Sequence, residues 1–403
     1  MDVDRVWIYY ISFNLYNFST GLVGIFLNLF VLATSSLLGV IYFNIFYYGS
    51  LELSYFATIY ALDYFSPKDL YVAGSVIRAF TLLFILFAAL FVSNILAFGF
   101  LYGVSIGTFW LGNNIIMSDI SKGVDRNEFS LRVNAIGNAV NLVAPTAAGI
   151  IIEYSQFTGP LRFGYDFIAA AIILLAAAYL LHQVKFPKEE KVIKFRPHKS
   201  IISHSNYRYF KLYYMFWCMF SIPFSIILPI YVFFITKSYV ITGIYGSVTL
   251  LIALFSTYLI KMGSKYWKLF LNIAIASSII ISILLFIPSS RYSLSIIFIY
   301  TIIYTIFSTP LQVQATANFL DMIDRSKIDR IHFWINREYY ITAGRTVAFA
   351  AIALTLIYFK SDIVYSIYLI PPMSLYLLTC AKTSEKIKHV ERPHIYKSSV
   401  KLQ

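Results

Sequence analysis

Charge is scarce in this chain. Asp, Glu, Lys and Arg make up 13% of its 403 residues, about half the share of a soluble domain, which argues against a soluble globular fold. Cysteine is nearly absent: Cys218 and Cys380 both fall in predicted spans and fit no metal or disulfide spacing. The six histidines form no ligand pattern, and His198, His204, His389 and His394 fall in predicted polar segments, so no metal site is expected. There is no Gly-rich phosphate loop, which excludes an ATP-driven pump within this chain. No Ser/His/Asp set or paired carboxylates stand out, so neither an enzyme nor a resident cofactor is expected. The apolar–polar alternation of membrane β-strands is missing as well. The first apolar run, Trp7 to Leu32, is too long for the core of a cleavable leader, and no small-residue cleavage pattern follows a short core.

What the sequence does have is apolar length. Hydrophobic residues make up 59% of it, arranged in long runs separated by short charged clusters. The run from Phe163 to Leu181 carries one charge, Asp166, near its start. About 20 such residues cross the hydrocarbon core of a bilayer. Backbone groups cannot stay unpaired there, so the spans are expected to be helices. The expectation is therefore an all-α, polytopic membrane protein of about twelve helices. The estimated spans are 7–32, 34–62, 70–92, 94–118, 131–153, 164–184, 209–235, 239–260, 269–287, 293–319, 339–358 and 363–381.

The net charge of +13 can suggest a nucleic-acid partner, but its placement points elsewhere. With twelve spans, 26 of the 32 Lys and Arg fall on the side that holds both termini. Four fall in the opposite loops, and Arg78 and Arg345 lie within spans. That is the positive-inside pattern, which predicts a multi-pass protein of the plasma membrane with both termini cytoplasmic and no nucleic-acid partner. The longest polar stretch between spans divides the chain into a first six-helix bundle (1–184), a linker (185–208), a second six-helix bundle (209–382) and a basic tail (383–403). Both halves carry a short basic loop after their second span and a longer charged one after their fourth. Such parallel repeats are a transporter feature.

Polar residues are gathered on selected spans. Asn14, Asn17, Gly21 and Asn28 share a face of the first, and Asn113 and Asn114 sit beside Trp110 in the fourth. Asn134, Asn138 and Asn141 recur at i, i+4, i+7 in the fifth, with Pro145 further along that face. Tyr304, Ser308, Gln312 and Thr316 recur at steps of four in the tenth, whereas the sixth, ninth and twelfth are almost wholly apolar or small. Unpaired amides are costly in lipid, so the stripes must face protein or water. One reading is hydrogen bonding between helices, and it suffices for any single Asn. Taken jointly, the stripes favour a polar central cavity that binds a small-molecule solute. An amide-rich wall with few acids suits a neutral or weakly polar solute over a strongly cationic one. Glu52 is the most deeply embedded acid by these spans, and an ionisable group at that depth is a candidate proton carrier.

The segment 107–151 resembles the major facilitator superfamily. It reads G-T-F-W-L-G-N-N at 107–114, D-I-S-K-G-V-D-R-N-E-F at 119–129 and N-L-V-A-P-T-A-A-G-I-I at 141–151. It looks like that family's fourth span, its following loop with Arg126, and a fifth span ending in Pro145 and Gly149. R-E-Y-Y-I-T-A-G-R at 337–345 resembles the family's entry into the eleventh span. The family's loop between spans two and three reads roughly G-x-x-x-D-R-x-G-R-K. Here I-Y-A-L-D-Y-F-S-P-K at 59–68 keeps Asp63 and Lys68, with Ile59 for the leading Gly and Tyr64 for the first Arg. The counterpart at 261–268 keeps Gly263 and lysines.

The resemblance implies two six-helix bundles rocking about a midplane site, hence a secondary transporter that works as a monomer. It assigns Asp63, Arg126, Glu338 and Arg345 to gating or coupling beside Glu52. Glu338 and Arg345 are seven residues apart and are expected on one helical face as a structural or gating pair. Arg78 is expected to snorkel to the cytoplasmic surface. The altered signature loops keep a rival open, a transporter-like sensor or scaffold that moves nothing.

Overall fold

The computed structural model describes residues 3–88, 94–121, 126–184, 207–259, 265–286, 294–325 and 330–359. Among these residues the regular elements are all helical. The first half comprises α1 (Val3–Thr34), α2 (Leu37–Ala61), α3 (Pro67–Ala88), α4 (Ile95–Ile120), α5 (Arg126–Asn141), α6 (Ala144–Glu153) and α7 (Gly164–His182). The second comprises α8 (Tyr207–Ile222), α9 (Leu228–Thr236), α10 (Tyr239–Thr257), α11 (Trp267–Phe286), α12 (Leu294–Arg325) and α13 (Arg330–Tyr358). The twelfth predicted span, nearly all of the linker and the basic tail lie outside the described residues.

Nine helical stretches among the described residues are long and apolar enough to cross a membrane. Helix α2 falls short of that apolarity although it has the length. It carries Asn44, Glu52 and five tyrosines. Its polarity reflects its place, because one face of it lines the centre of the molecule.

Two predicted spans are interrupted. Residues 131–153 were expected as one helix, but the chain breaks between α5 and α6 at Leu142 and Val143. Pro145 lacks an amide hydrogen and its ring clashes with the carbonyl four residues back, so α5 ends at Asn141. Between α8 and α9 the residues Pro223–Ile227 form a π turn, an element that concentrates at functional sites. Helix α13 begins nine residues before its predicted span, and Ile331, Trp334 and Ile335 in that extension are buried.

Each half packs mainly within itself. Helix α4 lies against both α2 and α3. Gly99, Gly103 and Gly107 of α4 recur at steps of four and face the carbonyls of Phe43, Tyr47 and Leu51 in α2. A Cβ on any of the three would collide with backbone, so small residues set this close approach. Helix α3 starts with a reciprocal cap. The Ser66 N–H and hydroxyl donate to Asp69 at 2.9 and 2.7 Å, and the Asp69 N–H donates back to Ser66 Oγ at 3.3 Å. The halves meet where α2 packs on α13, where α6 packs on α10, and where α5 packs on α10 and α12.

Candidate functional site

Helices α2 and α13 run antiparallel and touch at successive turns. The Tyr48 and Phe349 rings lie 5.4 Å apart between centroids. One turn on, the Arg345 guanidinium forms an ion pair with Glu52. A turn further, Phe56 stacks on Tyr339 at 4.9 Å. The seam ends in an apolar plug in which Tyr55, Ile59 and Leu62 of the first half pack with Ile331 and Ile335 of the second. Trp334 Nε1 also donates to Ser118 Oγ of α4 at 3.0 Å. Glu52 is 5% exposed. A buried carboxylate facing a buried guanidinium is stable as a pair, and stranding either partner costs about 3–5 kcal/mol.

The second seam closes the opposite end of the molecule and is built differently. Gly149 of α6 lies on the Tyr239 carbonyl, and Gly243 of α10 lies on the Pro145 carbonyl. Thr146 Oγ1 donates to Ser247 Oγ at 2.8 Å. Glu153 accepts from the Ser238 hydroxyl at 2.7 Å and from the Val240 N–H at 2.8 Å, which caps the N-terminus of α10 with a negative charge.

Between the seams lies a cavity of about 430 Å³. Its wall includes Asn17 and Asn28 of α1, Asn44 and Tyr48 of α2, Arg78 of α3, Tyr102 and Trp110 of α4, Pro145, residues of the π turn, and Tyr245 and Thr249 of α10. Asn44 Nδ2 donates to Asn28 Oδ1 at 2.8 Å. Arg78 is 1% exposed. It donates to Thr20 Oγ1 at 2.9 Å and to the Tyr102 hydroxyl at 2.5 Å. Its guanidinium lies 5.1 Å from the centre of the Tyr16 ring and 4.9 Å from that of Tyr102. The chain thus holds a largely apolar, aromatic-walled chamber with a few polar side chains between its two halves.

The model of the Major Facilitator Superfamily matches residues 7–322. The chain belongs to that superfamily. Curated relatives include the Bacillus subtilis (strain 168) protein named "Uncharacterized protein YqgE", 23% identical over 323 residues, 74% of this chain and 73% of that one. Among solved structures, a bacterial homologue of the iron transporter ferroportin aligns in its outward-facing state with a TM-score of 0.67 and 14% identity, over 94% of this chain and 99% of its own. Its inward-facing state aligns with the same TM-score at 13% identity, over 95% and 100%. The E. coli fucose:proton symporter FucP aligns with a TM-score of 0.65 and 12% identity, over 95% and 98%. These likenesses show the fold. Members of the superfamily are membrane transporters rather than enzymes.

Within this major facilitator fold, the residues singled out from sequence go to different places. Asn17 and Asn28 line the cavity. Asn14, Asn134 and Asn141 are half-buried and donate to the carbonyl four residues back in their own helices, at 2.8, 2.7 and 2.9 Å. Asn113 and Asn114 are fully buried between helices, accepting from Tyr9 at 2.9 Å and donating to Tyr55 at 3.3 Å, so they tie α4 to α1 and α2. Asn138 and Gln312 are half-buried away from the wall. Tyr304 stacks on Phe220 and Ser308 is buried, both in the packing of the second half. Arg126 begins α5, and its side chain lies outside the described residues.

The charged residues require two corrections. Arg345 pairs with Glu52 of the other half, and Glu338 is held by its neighbour Arg337 at 3.4 Å. Seven residues of helix separate Glu338 from Arg345 by about 10 Å along the axis, while Glu52 stands directly across the seam. Arg78 does not snorkel. It lies eleven residues into α3, about 16 Å along the helix and near its middle, and is 1% exposed. Asp63 is exposed in the turn after α2. The acid with a structural task in that loop is Asp69, in the α3 cap. Asn44 was missed, although Asn44, Tyr48 and Glu52 recur at steps of four on α2 and trace its inner face in the sequence.

Proposed function

We infer that this protein is a secondary active transporter that carries a small solute through the central cavity by alternating access, with Glu52 as its proton-carrying coupling residue. The observation that carries the reading is the Glu52–Arg345 pair, which joins the two halves beside the cavity. Tyr48 connects the two, because it lines the cavity and its ring lies 4.9 Å from the Arg345 guanidinium. A proton taken up by Glu52 cancels the charge that holds Arg345, and the α2–α13 seam loses its strongest attraction. The carboxylate is restored when the proton leaves on the other side, and the seam closes again. The distribution of Lys and Arg supports cytoplasmic termini in the plasma membrane, and the reading takes the transporting unit as a monomer.

The test is transport by purified protein in sealed vesicles. Wild-type protein is expected to accumulate solute under an imposed proton gradient. Glu52→Gln is expected to lose accumulation while still exchanging solute across the membrane. Accumulation that persists in Glu52→Gln removes proton coupling through this residue. The exposed Asp63 and the altered signature loop favour one rival, a sensor that binds solute without moving it. Absence of both accumulation and exchange in the wild-type protein, with solute binding intact, would establish that rival.

A further inference from the structure

Among the described residues Arg78 is a cation without a counter-ion, in a place that punishes one. The two other arginines of the centre, Arg345 and Arg337, each face a carboxylate. Arg78 bonds only neutral hydroxyls among the described residues, those of Thr20 and Tyr102. The Tyr16 ring lies under the guanidinium, and its hydroxyl is a further neutral group beside the cation. Aromatic faces and hydroxyl oxygens soften the cost of a buried cation without cancelling its charge. Among the described residues of the cavity wall there is no Asp, Glu, Lys or His, so Arg78 is the one charge that the chamber offers.

We propose that the solute is a small organic monoanion, a carboxylate for choice, whose negative charge Arg78 matches. The proposal rests on the transporter reading and names the substrate class of that same cavity. One cation matches one negative charge, and a second on the solute would be left unpaired in a low-dielectric chamber. Each terminal nitrogen already donates to Thr20 or Tyr102, so Arg78 acts on the solute mainly through its charge. The rest of the wall suits an apolar or aromatic body with a few hydrogen-bonding groups. Trp110, Phe224, Ile25 and Ile106 supply contact area, and Asn17 and Thr249 supply polar points. A volume of about 430 Å³ sits in the lower part of the range for small-molecule sites.

Trp110 lines the same cavity and reports on it without a known substrate. In protein whose other four tryptophans are replaced by Phe, three quenchers are compared: iodide, caesium and neutral acrylamide. Relative to the same iodide-to-caesium ratio for free N-acetyltryptophanamide, iodide is expected to quench Trp110 severalfold better than caesium. Arg78→Gln is expected to lower the iodide effect roughly tenfold and leave acrylamide quenching unchanged, while Arg78→Lys keeps the iodide preference. An iodide-to-caesium ratio no higher than that of free N-acetyltryptophanamide, or a loss in Arg78→Lys as large as in Arg78→Gln, overturns the proposal. Acrylamide that does not reach Trp110 overturns the cavity and the proposal together.

Vesicle flux of short carboxylates against their neutral primary amides, starting with benzoate and benzamide, separates this proposal from the reading beneath it. Carboxylate flux that Arg78→Gln abolishes supports both. Flux of amides in preference to carboxylates overturns the anion while leaving the transporter. Arg78-dependent iodide quenching without flux of either series supports the anion site and counts against the transporter.

Discussion

The two seams hold the same pair of halves together by opposite means. At the α6–α10 seam, Gly149 and Gly243 bring backbone against backbone, Glu153 caps a helix end and the Arg162 guanidinium lies over the Tyr239 ring. At the α2–α13 seam, large rings flank a buried ion pair, Glu52 with Arg345. A contact between glycines and carbonyls depends on shape alone and has no titratable part. An ion pair in low dielectric is strong while both charges exist and becomes a liability when one is removed. A single proton can therefore unbalance one seam and leave the other untouched. That asymmetry is what the proposed proton coupling requires, because two gates of one transporter must not open together.

The comparison can be broken most forcefully at the charged seam. Arg345→Met strands the Glu52 carboxylate and is expected to cost about 3–5 kcal/mol, read as a lower Tm of the purified protein. Adding Glu52→Gln is expected to recover most of that loss. A double variant no more stable than the single one would show that the seam does not depend on the pair. At the small-residue seam, Gly243→Val drives a side chain into the Pro145 carbonyl. The expected loss is about 1–3 kcal/mol, and Glu52→Gln should not relieve it, because the sites share no partner. Relief would mean that the seams are energetically one unit. The smallest effect is expected from Thr146→Val, which removes one hydrogen bond to Ser247, worth about 1 kcal/mol in thermal unfolding. A loss as large as that of Arg345→Met would make the polar contact, rather than close packing, the main tie of that seam.

Much of the architecture was legible in the sequence because hydropathy records depth. Apolar runs marked the helices, and Glu52 was recognised as embedded from its position in a long span. Azimuth and partner were harder to read. The α1 stripe of Asn17 and Asn28 does face the cavity, yet Asn113 and Asn114, adjacent in sequence beside Trp110, serve the packing of α4. An amide buried between two helices and an amide lining a chamber satisfy the same demand, to avoid lipid, so composition does not separate them. The break at Leu142 was implicit in Pro145, but a proline in an apolar run kinks or stops a helix according to its neighbours.

The sequence by itself determined that this chain is a helical membrane protein. That follows because a bilayer accepts only long apolar helices whose backbones satisfy themselves, a constraint visible residue by residue. Only the tertiary structure decided that Arg345 meets Glu52, that Glu338 leans on Arg337, and that Arg78 lies buried at the cavity wall between tyrosines. Those outcomes depend on which helix faces which, at what register. Distant residues are brought within a few ångströms by packing, and the spacing of either one along the chain carries no record of the other.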